Sequence, residues 1–581
     1  MNARQSLQIM EHTPRNYLRW LFDVDSGPVN RFAPRWIFLR ALAAIYFSAF
    51  LALYFQIKGL IGPNGILPAQ NFLNAVARQA NSLRFWYAPT LFWFSSSSHA
   101  MMVVTWIGLI ASVLAFLNLW PRLCFLLCFL CFLSFVSVAG DFSGYQSDGM
   151  LLEAGFLALF FAPRGLWPGW GINSPPPRAA LFLLQWEWFR IYFESGIVKL
   201  LSGDPEWRHL TAMDEYYQNG PLPTWIGWYV EHLPHAFHVA TAGGTLVMEL
   251  AIVWMLFLPR RVRLICFCIV TPWEIGVILT ANYAFLNYLV LALGFLLLDD
   301  RSLLSWIPAR FRDPLEHVVA PESFAVAEER LSIVATTEER YTPRNTASDP
   351  SAPDTNAPGS KPTTPATRLL RDFPAHFRAF RLAVTAVLLT WIAYDTTAEM
   401  LRMPWPDLPL LTAPIVALEP FRIANQYGLF AVMTRGRYEI EFQGSNDGQT
   451  WTPWLFRHKP QALNEAPAIY APYQPRFDWN LWFASLTDVQ QAEIVPLTEE
   501  KLLENDPDVL ALFRANPFPN APPRYVKAVL WQYWFTTLDE KHDTGNWWRR
   551  SLLGLYAPIL TREPNGKFSV VQWPEPLPPH E

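Results

Sequence analysis

Residues 36–57 read WIFLRALAAIYFSAFLALYFQI, with Arg40 the one charged side chain in the run. A helix rises 1.5 Å per residue, so about 20 apolar residues cross the roughly 30 Å hydrocarbon core of a bilayer. Runs of the same kind recur at 100–120, 123–140, 180–200, 236–258, 262–280, 282–298 and 378–396, with a shorter one at 150–162. Counting the short run, the pattern predicts an α-helical polytopic membrane bundle of about nine spans. The composition agrees: 52% of residues are hydrophobic and 16% charged, against roughly 25% charged in soluble domains. The segment before the first run is polar and holds Arg4, Arg15, Arg19, Arg31 and Arg35. The run itself has the length of a full span, so it reads as an anchor and not as a cleavable signal.

Positive charge orients the spans. With 1–35 cytoplasmic, Arg122, Arg164, Arg178 and the Arg260-Arg261-x-Arg263 turn fall on the same side. The acid-bearing loops 141–149 and 201–235 fall on the other. An odd span count then exports the C-terminus. The expected organisation is a cytoplasmic segment 1–35, a bundle 36–300 with extracytoplasmic loops, a cytoplasmic linker 301–377, a last span 378–396 and an extracytoplasmic β-rich domain 397–581. Within the linker, 318–366 is rich in Pro, Ser and Thr with few large apolar residues. It cannot bury a core and is expected to be disordered.

From about 415 the long apolar runs give way to period-2 alternation. Arg437-Tyr438-Glu439-Ile440-Glu441-Phe442 reads as a half-buried strand. Asn446-Asp447-Gly448 reads as the turn after it, with Trp451 resuming the next strand. Tyr525–Phe535 is a second strand, and 496–514 a short helix pair. These signals predict a C-terminal β-sandwich-like soluble domain with helical insertions.

Charges inside apolar runs need partners, water or a task, because each costs about 2.5–3.5 kcal/mol or more at the bilayer centre. Glu187, Arg190 and Glu194 share one helix face, which favours internal ion pairing. Lys199 sits near the outer end of that segment and can snorkel. Held in a dry pocket, it would instead be a base or nucleophile. Glu153, Glu249 and Glu274 are possible partners for Arg190 or Lys199. His235 and His238 are three apart, without a third ligand at a characteristic spacing, so no metal is expected. All five cysteines, Cys124, Cys128, Cys131, Cys266 and Cys268, lie in apolar runs, leaving the C-terminal third without a disulfide. A net charge of −4 and the lack of a basic stripe argue against a nucleic-acid partner.

Several motifs, taken together, resemble the lipase maturation factor family. They are Phe55–Pro68 (FQIKGLIGPNGILP), Gln146–Phe156 (QSDGMLLEAGF), Lys199–Asp214 with its Asp204-Pro205-Glu206-Trp207 core, and Asn282–Asn287 leading to Asp299-Asp300. In the C-terminal third they are Asn425-Gln426-Tyr427-Gly428-Leu429-Phe430, Pro475-Arg476-Phe477-Asp478-Trp479, Asn516-Pro517-Phe518 and Trp547–Arg550. At 216–221 the chain reads Tyr-Tyr-Gln-Asn-Gly-Pro, lacking a His and a Glu of the animal pattern, which argues against proton transfer by that loop. The resemblance implies a membrane-embedded maturation or assembly factor for exported proteins, lipases above all. Its setting would be the endoplasmic reticulum membrane, or the inner membrane of a bacterium. Membrane lipids and a secreted client would be its partners, and no cofactor is expected. Asn425, Tyr427, Gly428, Arg476, Asp478 and Trp479 are then candidate client-binding residues. A more distant similarity links Phe193–Leu200 and Asp204–Trp207 to the vitamin K-dependent γ-carboxylase. It implies an alternative: a membrane enzyme with Lys199 as catalytic base and Asp148, Glu153, Arg190, Asp204 and Trp207 around its pocket.

Overall fold

Helix ends set the frame of the bundle. In a computed structural model, residues 14–23, 27–304, 307 and 365–577 are described. Positions 318–364 of the expected disordered linker therefore lie outside the described residues, as do 1–13; residues 365 and 366 already belong to a long helix. The main helices are α1 (Pro14–Phe22), α2 (Phe32–Ile61), α3 (Ser98–Phe116), α4 (Pro121–Val136), α5 (Gln146–Phe161), α6 (Arg178–Leu201), α7 (His235–Leu250), α8 (Arg260–Thr280), α9 (Leu286–Gly294) and α10 (Pro365–Arg402). Among the described residues, five segments are long and apolar enough to cross a membrane, where the sequence predicted about nine spans: α2, α3, α7 with the tighter turns that extend it to Phe257, α8, and 377–402 of α10. The helices α4 and α9 are apolar but shorter. The short run at 150–162 forms α5, and the charged run at 180–200 forms α6. The chain is an integral membrane protein.

Local chemistry explains the ends of α2. Pro34 sits in the first turn, where its missing N–H costs nothing. The helix stops at Gly62-Pro63. The Asp300 carboxylate accepts from Phe32 N (3.1 Å) and Ala33 N (2.7 Å), an anion on the positive end of the helix dipole. Arg31 donates to Leu296 O at 3.0 Å, and Arg35 to the carbonyls of Trp170, Gly171 and Ser174. Both arginines are buried and serve loop carbonyls.

The C-terminal domain holds one six-stranded antiparallel sheet: β1 (Arg437–Ser445), β2 (Thr452–Pro453), β3 (Tyr525–Phe535), β4 (Trp548–Leu555), β5 (Ile559–Arg562) and β6 (Phe568–Gln572). The order is β2-β1-β3-β5-β6, with β4 also on β3. Register runs from Arg437 opposite Tyr533 to Ser445 opposite Tyr525. The expected sandwich is not what the described residues form. The second layer is helical, built by α11 (Arg476–Ser485) against β1 and α12 (Ile494–Glu504) against β3. Alternation reports one apolar face per strand, and a helix covers such a face as well as a sheet does. The half-buried reading of β1 also changes. Arg437, Glu439 and Glu441 are buried with the rest, because a bundle loop and the 455–465 segment cover their face. Arg437 pairs with Glu439, Glu439 with Lys459 (2.9 Å) and Glu441 with Arg550 (3.3 Å).

Glu499 on α12 is fully buried beside the Ala528 backbone N–H, with no ion pair among the described residues. Burial pushes this carboxyl well above its ordinary range. The folded state therefore keeps a proton that the unfolded chain releases near pH 4.3. The stability this group contributes is complete below that pH and is lost as the pH climbs toward the raised value. Glu499→Met should raise the melting temperature by several degrees at pH 8, corresponding to about 1–3 kcal/mol, and by much less at pH 4. An equal gain at both pH values would show that the carboxyl is not the cause.

Candidate functional site

Helix α6 buries Glu187, Arg190, Glu194, Ser195 and Lys199 together. Glu187 has no hydrogen-bond partner among the described residues; the partners of the others come from α5, α7 and, above all, the segment 425–433 that leads into the sheet domain. Arg190 pairs with Glu153 of α5 and donates to Asn425 O. Glu153 Oε2 accepts from Asn425 N (3.1 Å), Asn425 Nδ2 (3.2 Å) and Tyr427 OH (2.9 Å). Glu194 accepts from Tyr427 N at 2.6 Å, and Ser195 Oγ from Leu429 N at 3.1 Å. Lys199 Nζ donates to Leu429 O (3.0 Å), Ser195 O (3.3 Å) and Glu249 Oε1 of α7 (2.9 Å). Just beyond α6, Trp207 Nε1 donates to Phe430 O (2.9 Å), and Asp204 accepts from Met433 N (2.7 Å).

The physical logic is that of non-helical backbone taken into a buried interface. Segment 425–433 belongs to no helix or strand, yet Tyr427 and Met433 are buried and most of the others half-buried. Buried N–H and C=O groups must be paired, and here side chains of α5 and α6 pair them. The charges in α6 are thus the hydrogen-bonding wall against which this segment lies. Gly149 completes the fit: a Cβ there would lie 2.8 Å from Asn425 Oδ1.

A second lock joins α11 to the start of α5. Arg476 meets Asp148 through both guanidinium nitrogens, each at 2.7 Å, and donates to Phe142 O at 2.7 Å. Gln56 of α2 donates to Gln474 O at 2.9 Å. Asn282 accepts from Tyr470 N (2.7 Å) and Ala471 N (3.0 Å). The 216–221 loop forms a third. Its Gln218 and Gly220 carbonyls take Arg437, and its Asn219 donates to Thr434 O at 2.9 Å. One continuous apolar core accompanies these locks, from Ile45 in the bundle to Phe442 in the sheet.

Asp148, Glu153, Arg190, Lys199, Asp204 and Trp207 do converge on one end of the bundle. Lys199 does not snorkel: it is 1% exposed and ion-paired to Glu249, because the incoming 425–433 segment covers it. Arg190 takes Glu153 as its near partner, with Glu194 at 3.9 Å. Glu274 pairs with neither cation and accepts from Tyr192 and Asn287. Asn425, Tyr427, Gly428 and Arg476 face the bundle. Asp478 is buried and accepts from His458, and Trp479 packs tilted against Tyr145. His235 sits beside Asp214, His232 lies against Trp228 O and Thr536 O, and His238 against Leu233 O. The described residues contain no cluster of metal-ligating side chains, and the five cysteines are unpaired. An apolar cavity of about 410 Å³ reaches Lys199 and Glu249 between α6, α7, α8 and α9. Lining residues such as Thr245, Trp273 and Gly276 carry no signal in the sequence, since apolar helix faces look alike whether they meet lipid or a cavity.

A helical membrane bundle with a mixed helix–sheet domain locked onto one end by buried ion pairs is the class of protein these features define. Residues 33–305 match the lipase maturation factor transmembrane domain, and residues 423–558 the lipase maturation factor C-terminal domain. Lipase maturation factor 2 of Gallus gallus is 31% identical, the alignment covering 91% of this chain and 81% of that protein. Lipase maturation factor 1 of Bos taurus is 28% identical over 94% of this chain and 92% of that protein, and that of Mus musculus 28% over 98% and 95%. No solved structure matches the chain. The chain belongs to the lipase maturation factor family.

Proposed function

We propose that this protein is a membrane-anchored maturation factor that helps exported proteins, lipases in the first place, to reach their assembled fold. Its sheet domain faces the exported side and its N-terminus the cytoplasm. Arg19, Arg122, Arg164, Arg378 and Arg381 gather around one cavity away from the sheet domain, which supports that orientation through the positive-inside rule. The names of the relatives support the client class.

The observation that carries the reading is an exposed apolar edge on a domain that cannot swing away. Val570 and Val571 on the edge strand β6 and Trp573 just beyond it are 39%, 54% and 69% exposed. An open strand edge with apolar side chains is a surface on which another chain docks. The motif residues Asn425, Tyr427 and Arg476, by contrast, hold the domain against the bundle, and client contact is assigned to this edge. Lys199 acts as a positioning residue for segment 425–433.

The test is secretion of an active lipase from cells that lack their own factor, complemented with variants of this protein. Val571→Ser/Trp573→Ser should cut the specific activity of secreted lipase at least fivefold while the factor accumulates normally. Lys199→Arg keeps the charge opposite Glu249 but cannot act as a base, since a guanidinium stays protonated; it should retain most of the activity. Loss of function with Lys199→Arg at normal protein level would favour the enzymatic alternative, and an unaffected edge variant would remove the docking surface.

A further inference from the structure

We infer that the cavity between α7 and α8 is a lateral binding site for a neutral, hydroxyl-bearing lipid such as a monoacylglycerol. Helix α7 packs on α6 and α8 on α9, while α9 meets α6 and α8 meets the 252–257 turns that extend α7; the cavity lies between the helices so joined, in the gap between α7 and α8 themselves. Both helices turn exposed apolar side chains outward, Val247 on α7 and Ile275 and Leu279 on α8, so the gap faces the hydrocarbon. Gly276 of α8 lines it, and a Cβ added there meets nothing within 4 Å. The mouth is therefore open at that level. A volume of about 410 Å³ lies within the roughly 300–1,000 Å³ range of small-molecule sites, and the lining is mainly apolar, as an acyl chain requires.

The inner end selects the head group. Two buried acceptor oxygens there, Glu249 Oε2 and Asn287 Oδ1, have no donor among the described residues, and Asn287 is only 8% exposed. The nearest cation cannot serve them, because Lys199 already donates to Glu249 Oε1, Ser195 O and Leu429 O. Nor can Glu274, which is itself an acceptor and is filled by Tyr192 and Asn287. Unpaired buried acceptors cost about 1–3 kcal/mol each, and a ligand with two or more O–H groups would pair them. The charges at that end are one lysine against two glutamates, Glu249 and Glu274. A phosphate or carboxylate head would meet net repulsion, whereas a glycerol head would not.

The purified full chain in detergent is irradiated with 1-oleoylglycerol carrying a diazirine in its acyl chain, and adducts are mapped by peptide mass spectrometry. Adducts are expected at 237–249 and 272–280, competed by excess 1-oleoylglycerol but not by oleate or lysophosphatidic acid. Gly276→Trp, which fills the mouth, should lower their yield at least fivefold. Thr245→Phe fills it from the opposite wall and serves if the first variant fails to elute as a single species. Adducts spread evenly over α3 and α10, or unchanged by both plugs, would overturn the site. Equal competition by the anionic lipids would overturn the choice of head group. The readout involves no client, so its result is independent of the maturation reading.

Discussion

Arg476→Leu will loosen the sheet domain from the bundle. The substitution leaves the fully buried Asp148 without its two guanidinium bonds of 2.7 Å, and breaking a buried pair from one side costs about 3–5 kcal/mol. In detergent the variant should melt well below the parent and release fragments from 415–581 under limited proteolysis. Arg476→Leu/Asp148→Leu removes both charges and should recover a large part of the loss, because the dominant penalty is the stranded carboxylate and not the missing attraction. A single variant that melts within about 2 °C of the parent would mean the lock carries no weight; the expected cost corresponds to a shift several times larger.

Arg190→Leu should be more damaging still. One guanidinium serves Glu153, lies near Glu194 and holds the Asn425 carbonyl. Glu187, whose carboxylate has no hydrogen-bond partner among the described residues, is buried close by on the same face. Without Arg190, three carboxylates remain in an apolar bundle with no cation between them, and segment 425–433 loses its anchor. Misfolding and loss of a single size-exclusion peak are the expected outcome. Arg190→Lys should not rescue it, since an ammonium is a point charge and cannot span the carboxylate and the carbonyl as a planar fork does. Normal elution of either variant would remove Arg190 from the centre of the interface.

These expectations recast the motifs by which the family is recognised. Asn425-Gln426-Tyr427-Gly428-Leu429-Phe430 and Pro475-Arg476 look, as bare sequence, like a surface kept for a client. In the fold they are backbone and side-chain partners of α5 and α6. Lys199 looks like a base in waiting; in the fold it is ion-paired to Glu249, and both line the cavity.

Much of the architecture follows from local pattern. The apolar runs become helices because length and hydropathy act on contiguous residues. Alternation places β1 and β3, the second of them over the whole of Tyr525–Phe535, and the helix pair near 496–514 appears as Ile494–Glu504 and Pro507–Leu510. What the chain alone left open was every choice made between distant residues. A helical layer covers the sheet where a second sheet was equally compatible with period-2 alternation. Glu249, and not Glu153 or Glu274, takes Lys199. Arg476 finds Asp148 across 328 positions. Hydrophobic periodicity is a property of neighbours along the chain, whereas the partner of a buried charge is set by which surfaces are brought together, and only the packed structure determines that.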